Sequence, residues 1–346
     1  MRNIIILSMV LLSGGDVYSN SFFTPNHYRG RREANSFTAI AWSKRREVSF
    51  QYARSMTDTD TNGVRTEEDT TSTSTTRGYY RLDNGLNFEG FLRAARSNRD
   101  SQLLAQTDKV DVGSFELGLG YESPNQPFAL AVKYNNRRSN RQDGATDVIS
   151  TTRFETYQLA VGTLLADQIY MGLGYQHTMA NYPTSSTVDD LDQSYYIGGG
   201  KVFGRDKEPL AVVDGYLNYE NENGYQTYVA VAQALYNQGP TQYYGALNVV
   251  KIQGRTAGLG GALILGLDYQ FGAFFIAPHL ALTRTKYTDS TEQNYESWMA
   301  SLEAGYRQQL LEFFAWLSPA TDDSTIGNSK YKSATNRLTV GGSYQF

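Results

Sequence analysis

Apolar and polar residues alternate along stretches of about ten positions, and this pattern constrains the fold more than any other sequence feature. The stretch 337–346 shows it most clearly, because Leu338, Val340, Tyr344 and Phe346 fall on one side of an extended backbone. The other side carries threonine, glycine, serine and glutamine. A helix would spread these polar residues around its whole surface, so the period of two predicts a β-strand.

The same unit recurs from Glu47 onward as an alternating segment, a short turn, a second alternating segment and a longer polar loop. Short turns are predicted at 83–85, 123–126, 166–168, 204–208 and 238–239, and longer polar loops at 97–109, 139–146, 181–190 and 320–333. Counting the segments predicts about sixteen antiparallel strands. Fourteen or eighteen stay open, because 37–42 and 237–257 are ambiguous.

One predicted strand, 274–283, contains a proline in its interior. Pro278 has no backbone N–H and therefore removes one donor from the hydrogen-bond ladder. Proline inside a strand is found at edges or at irregularities of the pairing. The sequence therefore predicts a β-bulge at this position.

Two all-β architectures fit a period of two, namely a soluble sandwich and a transmembrane antiparallel up-and-down β-barrel. The apolar tip at Phe346, a secretion signal at the start of the chain and turns of two unequal lengths favour the barrel. The predicted fold class is therefore an all-β transmembrane barrel of about 16 strands over residues 47–346. Its single domain is compatible with a length of 346 residues.

Composition excludes several classes of protein. The mean hydropathy of −0.47 excludes a bundle of transmembrane helices but allows a barrel, in which only alternate residues face lipid. The 26 tyrosines suit the boundary between lipid and water, because each has an apolar ring and a polar tip. A net charge of −4 gives no support for a nucleic-acid partner. The absence of cysteine excludes disulfides, thiol catalysis and Cys-based zinc sites.

Residues 1–19 have the pattern of a secretory signal peptide. Arg2 supplies the positive charge, 4–12 is mostly apolar, and Val17 and Ser19 are small residues before the predicted cut. An anchor helix is disfavoured, because this apolar run is far shorter than the ~20 residues that a membrane span requires.

The next segment, 20–46, has basic residues on both sides of a brief apolar piece at 37–42. It fits an N-terminal periplasmic arm, a plug that reaches into the barrel, or an additional first strand. The sequence leaves these three interpretations open.

The stretch 337–346 resembles the C-terminal signal of Gram-negative outer-membrane β-barrel proteins, and the overall pattern is similar to that of porins. The resemblance implies a place in the bacterial outer membrane, in contact with its lipid and lipopolysaccharide. It also implies that the barrel assembly machinery recognises Leu338, Val340, Tyr344 and Phe346 as the assembly signal. Sixteen-stranded porins that resemble this chain usually form trimers, so the resemblance further implies a homotrimer.

Charged residues inside the barrel follow from the same alternation. If the leucine, phenylalanine and tyrosine rows face lipid, the predicted pore-lining charges are Arg81, Glu89, Arg93, Glu116, Lys133, Arg137, Lys201, Asp214, Asp268 and Glu303. Interior charges cost too much in a dry core, which favours a water-filled lumen at this strand number. Both signs are present, so the sequence indicates no strong charge selection.

These features predict passive diffusion of small hydrophilic solutes through the barrel. Two alternatives stay open. One is a structural or surface-recognition barrel whose lumen is closed by paired charges. The other is a transporter of hydrophobic small molecules with the N-terminal segment as its hatch.

Catalysis is not predicted. Outer-membrane phospholipases and acyl-trimming barrels resemble one another in placing a serine two residues after a histidine. Here His27, His177 and His279 are followed at that distance by arginine, methionine and alanine. The close Asp–His pair of barrel proteases is also missing from the sequence.

A calcium loop and a plain hairpin turn both fit one acidic stretch. Asp58, Asp60 and Asn62 at alternate positions, then Gly63, and Asp69 at the twelfth place resemble an EF-hand loop. The stretch departs from that pattern in having Asp rather than Glu at the twelfth place and strands as its flanks. An Asn-Gly pair is also the strongest short signal for a hairpin turn. No other cofactor is predicted.

Overall fold

The computed structural model describes residues 46–102, 106–123, 128–165, 169–181, 188–205, 208–222, 225–254, 257–287, 294–326 and 329–346. Within these ranges the chain forms sixteen β-strands. They are β1 (Glu47–Thr61), β2 (Val64–Arg81), β3 (Leu86–Ser101), β4 (Gln106–Glu122), β5 (Phe128–Gln142), β6 (Ile149–Leu165), β7 (Ile169–Asn181), β8 (Val188–Arg205), β9 (Glu208–Glu222), β10 (Tyr225–Gln238), β11 (Thr241–Gln253), β12 (Gly258–Phe271), β13 (Phe274–Tyr287), β14 (Asn294–Gln308), β15 (Leu311–Ile326) and β16 (Ser329–Gln345). No helix in the described ranges is long and apolar enough to cross a membrane.

The strands close into one antiparallel barrel. Each strand pairs with its neighbours in the chain, and β1 pairs with β16, where Glu47 lies opposite Gln345. The prediction of an all-β antiparallel up-and-down barrel of about sixteen strands is confirmed. Residues 1–45, which hold the predicted signal peptide and nearly all of the segment 20–46, lie outside the described residues.

Alternate residues of each strand point out of the barrel or into it. On β16, Leu338, Val340 and Tyr344 are 52%, 42% and 47% exposed on the outside, whereas Thr339 and Ser343 between them are buried. The same alternation holds on the other strands, and the outward rows consist mainly of leucine, valine, phenylalanine and tyrosine. An apolar surface that surrounds the whole barrel requires an apolar medium around it.

The two ends of the barrel differ. At the end that we call the turn end, Glu47 meets Gln345 and consecutive strands are separated by two to five residues. At the opposite end, called the polar end, the strands continue with serine, threonine, asparagine and charged residues.

Two of the predicted long loops at the polar end are wrong. The segments 97–109 and 320–333 are mostly strand, because β3 and β4, and likewise β15 and β16, continue through them. Backbone hydrogen bonds hold an antiparallel pair together whether or not the side chains are apolar. Cross-strand side-chain contacts support the extension: the Thr107 hydroxyl on β4 donates a hydrogen bond to Asp100 Oδ1 on β3 at 2.6 Å.

Asn62 and Gly63 form the turn between β1 and β2. Their φ angles are 51° and 83°, and a type I′ turn requires positive φ at both central positions. Glycine adopts such angles without strain, and asparagine tolerates them. The Asn62 side chain also accepts a hydrogen bond from the Lys330 backbone N–H at 2.9 Å, which fixes the turn against β16.

Pro278 interrupts the ladder between β12 and β13 without a bulge. Gly266 pairs with His279 and Tyr269 pairs with Ile276, so the register is the same on both sides of the gap. The predicted bulge is therefore wrong. The missing N–H of Pro278 leaves two residue pairs of the ladder unformed. A bulge would need one extra residue on one strand, and β13 has none.

Two aromatic belts lie on the outside of the barrel, one toward each end. At the turn end, Tyr80 stacks on Phe346, Tyr236 on Tyr243, and Phe271 on Phe274, with ring centroids 6.0–6.3 Å apart. Nearer the polar end, the rings that contact one another are Phe115, Tyr134 and Tyr157, followed by Tyr175, Tyr195, Tyr219 and Tyr228. Aromatic girdles of this kind mark the two lipid–water boundaries of a transmembrane barrel.

The separation of the belts matches one membrane. On β10 they are represented by Tyr228 and Tyr236, which bound a segment of about nine residues, within the ~9–11 that a tilted transmembrane strand needs. The polar strand extensions therefore lie beyond the apolar layer on one side only.

Candidate functional site in the barrel interior

A cavity of about 810 Å³ lies inside the barrel, in the half near the polar end. Inward side chains from β2 to β13 form its wall, among them Arg93, Ser114, Arg137, Tyr196 and Thr285. This volume falls in the range of about 300–1,000 Å³ that is typical of small-molecule sites. The interior can therefore hold a small solute.

Four side chains on neighbouring strands form a charged cluster: Arg77 on β2, Glu89 on β3 and Lys133 on β5, which are buried, and Glu116 on β4, which is partly buried. The Lys133 ammonium lies 2.7 Å from Glu116 Oε1 and 3.3 Å from Glu89 Oε2. The Arg77 Nε lies 3.6 Å from Glu89 Oε1. Two positive and two negative charges thus compensate one another where unpaired charges would be costly.

Gly118 makes this cluster possible. Glu89 and Lys133 lie on strands that do not pair with each other, and both are register partners of Gly118 on the strand between them. Because glycine has no side chain, Lys133 reaches across β4 to Glu89. The ion pair between Lys133 and Glu89 therefore depends on the missing side chain of Gly118 as well as on the two charged residues.

A second group of charges lies inside the barrel on β12–β15. The Arg307 guanidinium is 3.5 Å from Asp268 and 3.1 Å from Glu312, and it lies 4.3 Å from the centre of the Phe275 ring. Asp268 is fully buried, and so is the nearby Glu303. A cation over an aromatic face and between carboxylates is stabilised from several sides.

Between these two groups the interior carries an apolar wall. It consists of inward residues on β8–β13: Val202, Val212, Leu235, Tyr244, Ala246, Ile264 and Ala281. Tyr216 with Val231 and Val250 with Tyr287 extend it toward the cavity. The interior therefore presents charges on one side and hydrocarbon on the other.

Most of the predicted pore-lining charges do point inward. Arg93, Glu116 and Arg137 line the cavity, while Glu89 and Lys133 belong to the charged cluster. Arg93 and Arg137 are exposed to the cavity, and the Arg137 guanidinium lies 5.8 Å from the centre of the Phe154 ring.

The remaining inward charges lie closer to the turn end. Arg81 forms an ion pair with Glu122 at 2.6 Å. Asp214, Asp268 and Glu303 are all buried on the inside. These residues face inward as the alternation indicates, but they are enclosed and do not line the cavity.

The prediction for Lys201 is wrong. Its neighbour Val202 is buried on the inside, so Lys201 points outward, with its ammonium 5.5 Å from the centre of the exposed Phe203 ring. A register shift between Phe203 and Gly204 accompanies the end of β8. Near the membrane boundary a lysine can extend toward water, so its outward position costs little.

Sequence reasoning missed the apolar wall. In β12 the run from Ala262 to Leu265 is apolar at every position; Ile264 is buried inside, whereas Leu263 and Leu265 are exposed outside. The alternation rule assigns the leucines of such a run to the lipid-facing side, and it gives no information about the apolar residues between them. Continuous apolar runs in a chain of otherwise alternating strands were the signal that could have found it.

At the polar end, Asp108 on β4 forms hydrogen bonds that hold the 143–148 connection against the barrel. Its carboxylate accepts hydrogen bonds from the Gly144 backbone N–H at 3.0 Å and from Arg141 at 2.7 Å. These two donors hold the pKa of Asp108 below its ordinary value. A side chain at position 144 would lie within 3 Å of the Thr107 backbone, so glycine is needed there.

The residues of the predicted calcium loop do not converge. Asp58 and Asp60 lie on the outward face of β1, whereas Asp69 lines the cavity on the inward face. Asp58 instead forms an ion pair with Arg65, and Asn62 occupies the hairpin turn. Among the described residues, no group of three or more His, Asp or Glu side chains is placed to hold a metal ion.

The two described histidines lie on opposite faces of the barrel wall. His177 points outward beside Tyr157, and His279 points inward opposite Ser301. His27 lies outside the described residues. This placement does not bring the two described histidines together in one site.

The predicted assembly signal forms an outward row on β16. Leu338, Val340, Tyr344 and Phe346 are each 42–52% exposed on the outer surface. Phe346 stacks on Tyr80 and on Tyr344, with centroids 6.1 Å apart in both pairs, so its ring belongs to the turn-end belt.

No known family model matches the sequence, and no curated protein matches it. Several solved barrel structures are similar to the chain. The monoaromatic hydrocarbon channel CymD is 8% identical, with a TM-score of 0.49 over 90% of this chain and 91% of that chain. OccK7 (OpdD) of Pseudomonas aeruginosa is 10% identical, with a TM-score of 0.49 over 87% and 100%. The toluene transporter TodX of Pseudomonas putida is 9% identical, with a TM-score of 0.47 over 89% and 91%. Because these identities and TM-scores are low, the functional argument rests on this chain's own residues.

Proposed function

We propose that this protein is an outer-membrane channel through which small solutes diffuse passively. The observation that carries the proposal is the cavity of about 810 Å³ enclosed by a closed barrel of sixteen strands. Barrels of about this strand number are wide enough to leave an aqueous interior. The two aromatic belts support a position of the same interior across a membrane.

Small hydrophilic solutes are the proposed cargo. The exposed guanidinium groups of Arg93 and Arg137 line the cavity together with hydroxyl and amide side chains such as Ser114, Asn135 and Thr156. Such groups replace part of the water around a polar solute without holding it tightly, as conduction requires.

A second candidate is the passage of small hydrophobic molecules. The observation that favours it is the apolar wall on β8–β13, which Tyr216 and Val250 continue into the lining of the cavity. Apolar surface inside a pore offers a hydrocarbon-like molecule a favourable contact that a polar solute does not use. Uptake of toluene into protein-containing liposomes, without ion conductance, would favour this candidate.

The polar end is proposed to face the outside of the cell and the turn end the periplasm. Outer-membrane barrels have short turns on the periplasmic side and longer polar extensions on the outer side. The strands extend with polar residues beyond the aromatic rings at the polar end only, and this asymmetry supports the orientation.

The test of conduction uses the absence of cysteine in the natural chain. Ser114→Cys places one thiol in the cavity wall, and Gly113→Cys places one on the outside of the same strand, where a side chain has open space. We expect single-channel conductance of the reconstituted protein in a planar bilayer. A bulky thiol reagent should reduce that conductance for Ser114→Cys and leave it unchanged for Gly113→Cys.

The folded state of both variants is checked by its altered electrophoretic mobility before heating. A folded barrel that conducts no ions would contradict passive diffusion of hydrophilic solutes. Equal inhibition of the two cysteine variants would show that the current does not pass through this cavity.

The outward row on β16 is proposed to act as the assembly signal. Phe346→Ala should then lower the yield of folded barrel in the outer membrane. The matched control is Phe313→Ala, which removes an equally exposed ring from the neighbouring β15. Equal yields from the two variants would contradict a special role for Phe346.

A further inference from the structure

Four basic side chains form a patch on the outside of the barrel, which we call the outer basic patch. They are Arg96 on β3, Lys109 on β4, Arg138 on β5 and Arg153 on β6, all exposed and all on the outward face. Register brings them together, because Arg138 lies directly opposite Arg153 and next to Gly113 on β4. The patch therefore spans four consecutive strands.

Two of the four basic side chains of the patch are paired with carboxylates. Arg96 forms an ion pair with Asp111 at 2.8 Å, and Arg153 forms one with Glu155 at 3.2 Å. Lys109 and Arg138 have no carboxylate partner within the part of the chain that the structure describes. These two cations are therefore available to an external anion.

A groove of about 730 Å³ runs along the patch. Arg96, Lys109 and Arg138 line it together with the amide side chains of Asn98, Asn140 and Gln142. Amide N–H groups and guanidinium groups are the donors that bind phosphate oxygens, and a guanidinium can do so with two parallel hydrogen bonds. The groove thus combines charge with several neutral donors.

On the other side of the barrel, two outward basic residues lie beside acidic residues. Arg284 on β13 is paired with Glu296 on β14 at 2.9 Å. Lys332 on β16 has Asp60 and Asp323 as its register partners on the two adjoining strands. Lys251 on β11 and Lys286 on β13, both register neighbours of Leu259, have no ion-pair partner within the described ranges, so unpaired basic charge is not confined to β3–β6. The β3–β6 sector is distinguished by the groove in which three basic side chains meet.

The position of the patch relative to the membrane indicates which kind of ligand it meets. It begins just beyond Phe115, Tyr134 and Tyr157, the rings that mark the lipid–water boundary near the polar end. Side chains at this level and on the outward face meet lipid headgroups and not solutes in the lumen. Clusters of lysine and arginine at a membrane surface recognise anionic headgroups.

We propose that the outer basic patch binds the phosphate groups of lipopolysaccharide in the outer leaflet of the outer membrane. The proposal rests on the outer-membrane location and orientation argued above. Lys109 and Arg138 supply the charge that no ion pair takes up, and the Asn140 amide supplies a further donor. The Gln142 amide donates to Asp147 at 3.2 Å. The acyl chains of the same lipid lie below the patch against the outward apolar rows.

The test measures binding of bisphosphorylated lipid A to the full chain, purified in detergent and freed of lipid. The double variant Lys109→Gln with Arg138→Gln is expected to bind at least tenfold more weakly than the unmodified protein. The matched control, Arg284→Gln, removes an outward arginine that is already paired and should change binding less than twofold. Dephosphorylated lipid A should bind the unmodified protein as weakly as lipid A binds the double variant.

Equal affinity of the double variant and the unmodified protein for lipid A would overturn the proposal. So would inorganic phosphate that competes as well as lipid A does, because the patch would then be a general anion site. Electrophoretic mobility before heating confirms that each variant is folded. The double variant should keep the single-channel conductance, so a failure of lipid binding and a failure of conduction are distinguishable.

Discussion

Two walls of the barrel interior differ although they are built on the same framework. The β2–β5 wall carries the charged cluster of Arg77, Glu89, Glu116 and Lys133, and the β8–β13 wall carries hydrocarbon. The outward faces of the same strands are alike, since both present leucine, valine and aromatic residues. Contact with lipid requires apolar side chains on the whole outer face. The inner face has no such requirement, so the types of side chain can differ from one wall to the other.

The largest expected effect comes from the charged wall. Lys133→Met leaves Glu89 and Glu116 without their shared cation, and breaking a buried ion pair in this way costs about 3–5 kcal/mol. We expect a loss of that size in the free energy of unfolding, measured by urea titration of the refolded barrel. Lys201→Met, which removes an outward lysine, should change it by less than about 0.5 kcal/mol.

A double variant sharpens this test. Adding Glu116→Gln to Lys133→Met leaves Arg77 paired with Glu89 and the cluster neutral again, so it should recover most of the lost stability. A double variant as unstable as Lys133→Met would contradict the electrostatic explanation and point to packing.

The next effect concerns the apolar wall. Ile264→Ala creates a cavity among buried side chains, and such truncations cost about 2–5 kcal/mol. The same truncation at Leu263, the adjacent outward residue, should cost less, because lipid can fill the space that the side chain leaves. Urea titration of the two variants measures the difference, and an equal loss would show that position 264 is not packed as described.

The cavity charges should affect selectivity and leave stability nearly unchanged. Arg93 is exposed and has no ion-pair partner within the described ranges, so Arg93→Glu breaks no contact of that kind. We expect a reversal potential shifted toward cation permeation in a salt gradient. Lys286→Glu, on the outward face of β13, serves as the control. An unchanged reversal potential for Arg93→Glu would contradict an open passage beside this residue.

The smallest effect is expected at the mouth of the barrel. The pKa of Asp108 is lowered in the folded protein, so its contribution to the 143–148 connection is present above the unfolded pKa of about 3.9 and is lost as pH falls through the folded pKa. Protection of residues 143–148 from hydrogen exchange should therefore decrease in strong acid. Asp108→Asn should lower protection at neutral pH by about 1 kcal/mol and remove the acid dependence.

Asp111→Asn, on the outward face of the same strand, is the control for that measurement. It should leave the protection of 143–148 unchanged at every pH. Equal changes in the two variants would mean that Asp108 has no special contact with the connection.

The fold was predictable because lipid imposes one rule on every strand. Residues such as Leu338 and Val340 must face outward, so period and turn chemistry were enough to place the strands. The interior obeys no such rule. The position of Lys133 was predictable from alternation, whereas its contact with Glu89 depends on the missing side chain at Gly118, which is a matter of register.

The errors have related causes. Polarity was used to predict loops at 97–109 and 320–333, but backbone pairing continues through polar residues. The prediction for Lys201 assumed that its charge needs water in the lumen, although water is also available outside the barrel at the membrane boundary near Phe203. Side-chain polarity alone therefore determines neither the path of the backbone nor the face on which a residue lies.

The seam between β1 and β16 has a consequence for the kinetics of folding. Every other strand pair joins neighbours in sequence, whereas the seam joins Glu47 to Gln345. Closing a loop costs only about 0.6 kcal/mol more for each doubling of its length, so entropy does not prohibit this contact. Until it forms, however, β1 and β16 are two free edges that can pair with another chain. Once it has formed, its hydrogen bonds must break together in a medium without water, so the closed barrel is expected to unfold very slowly.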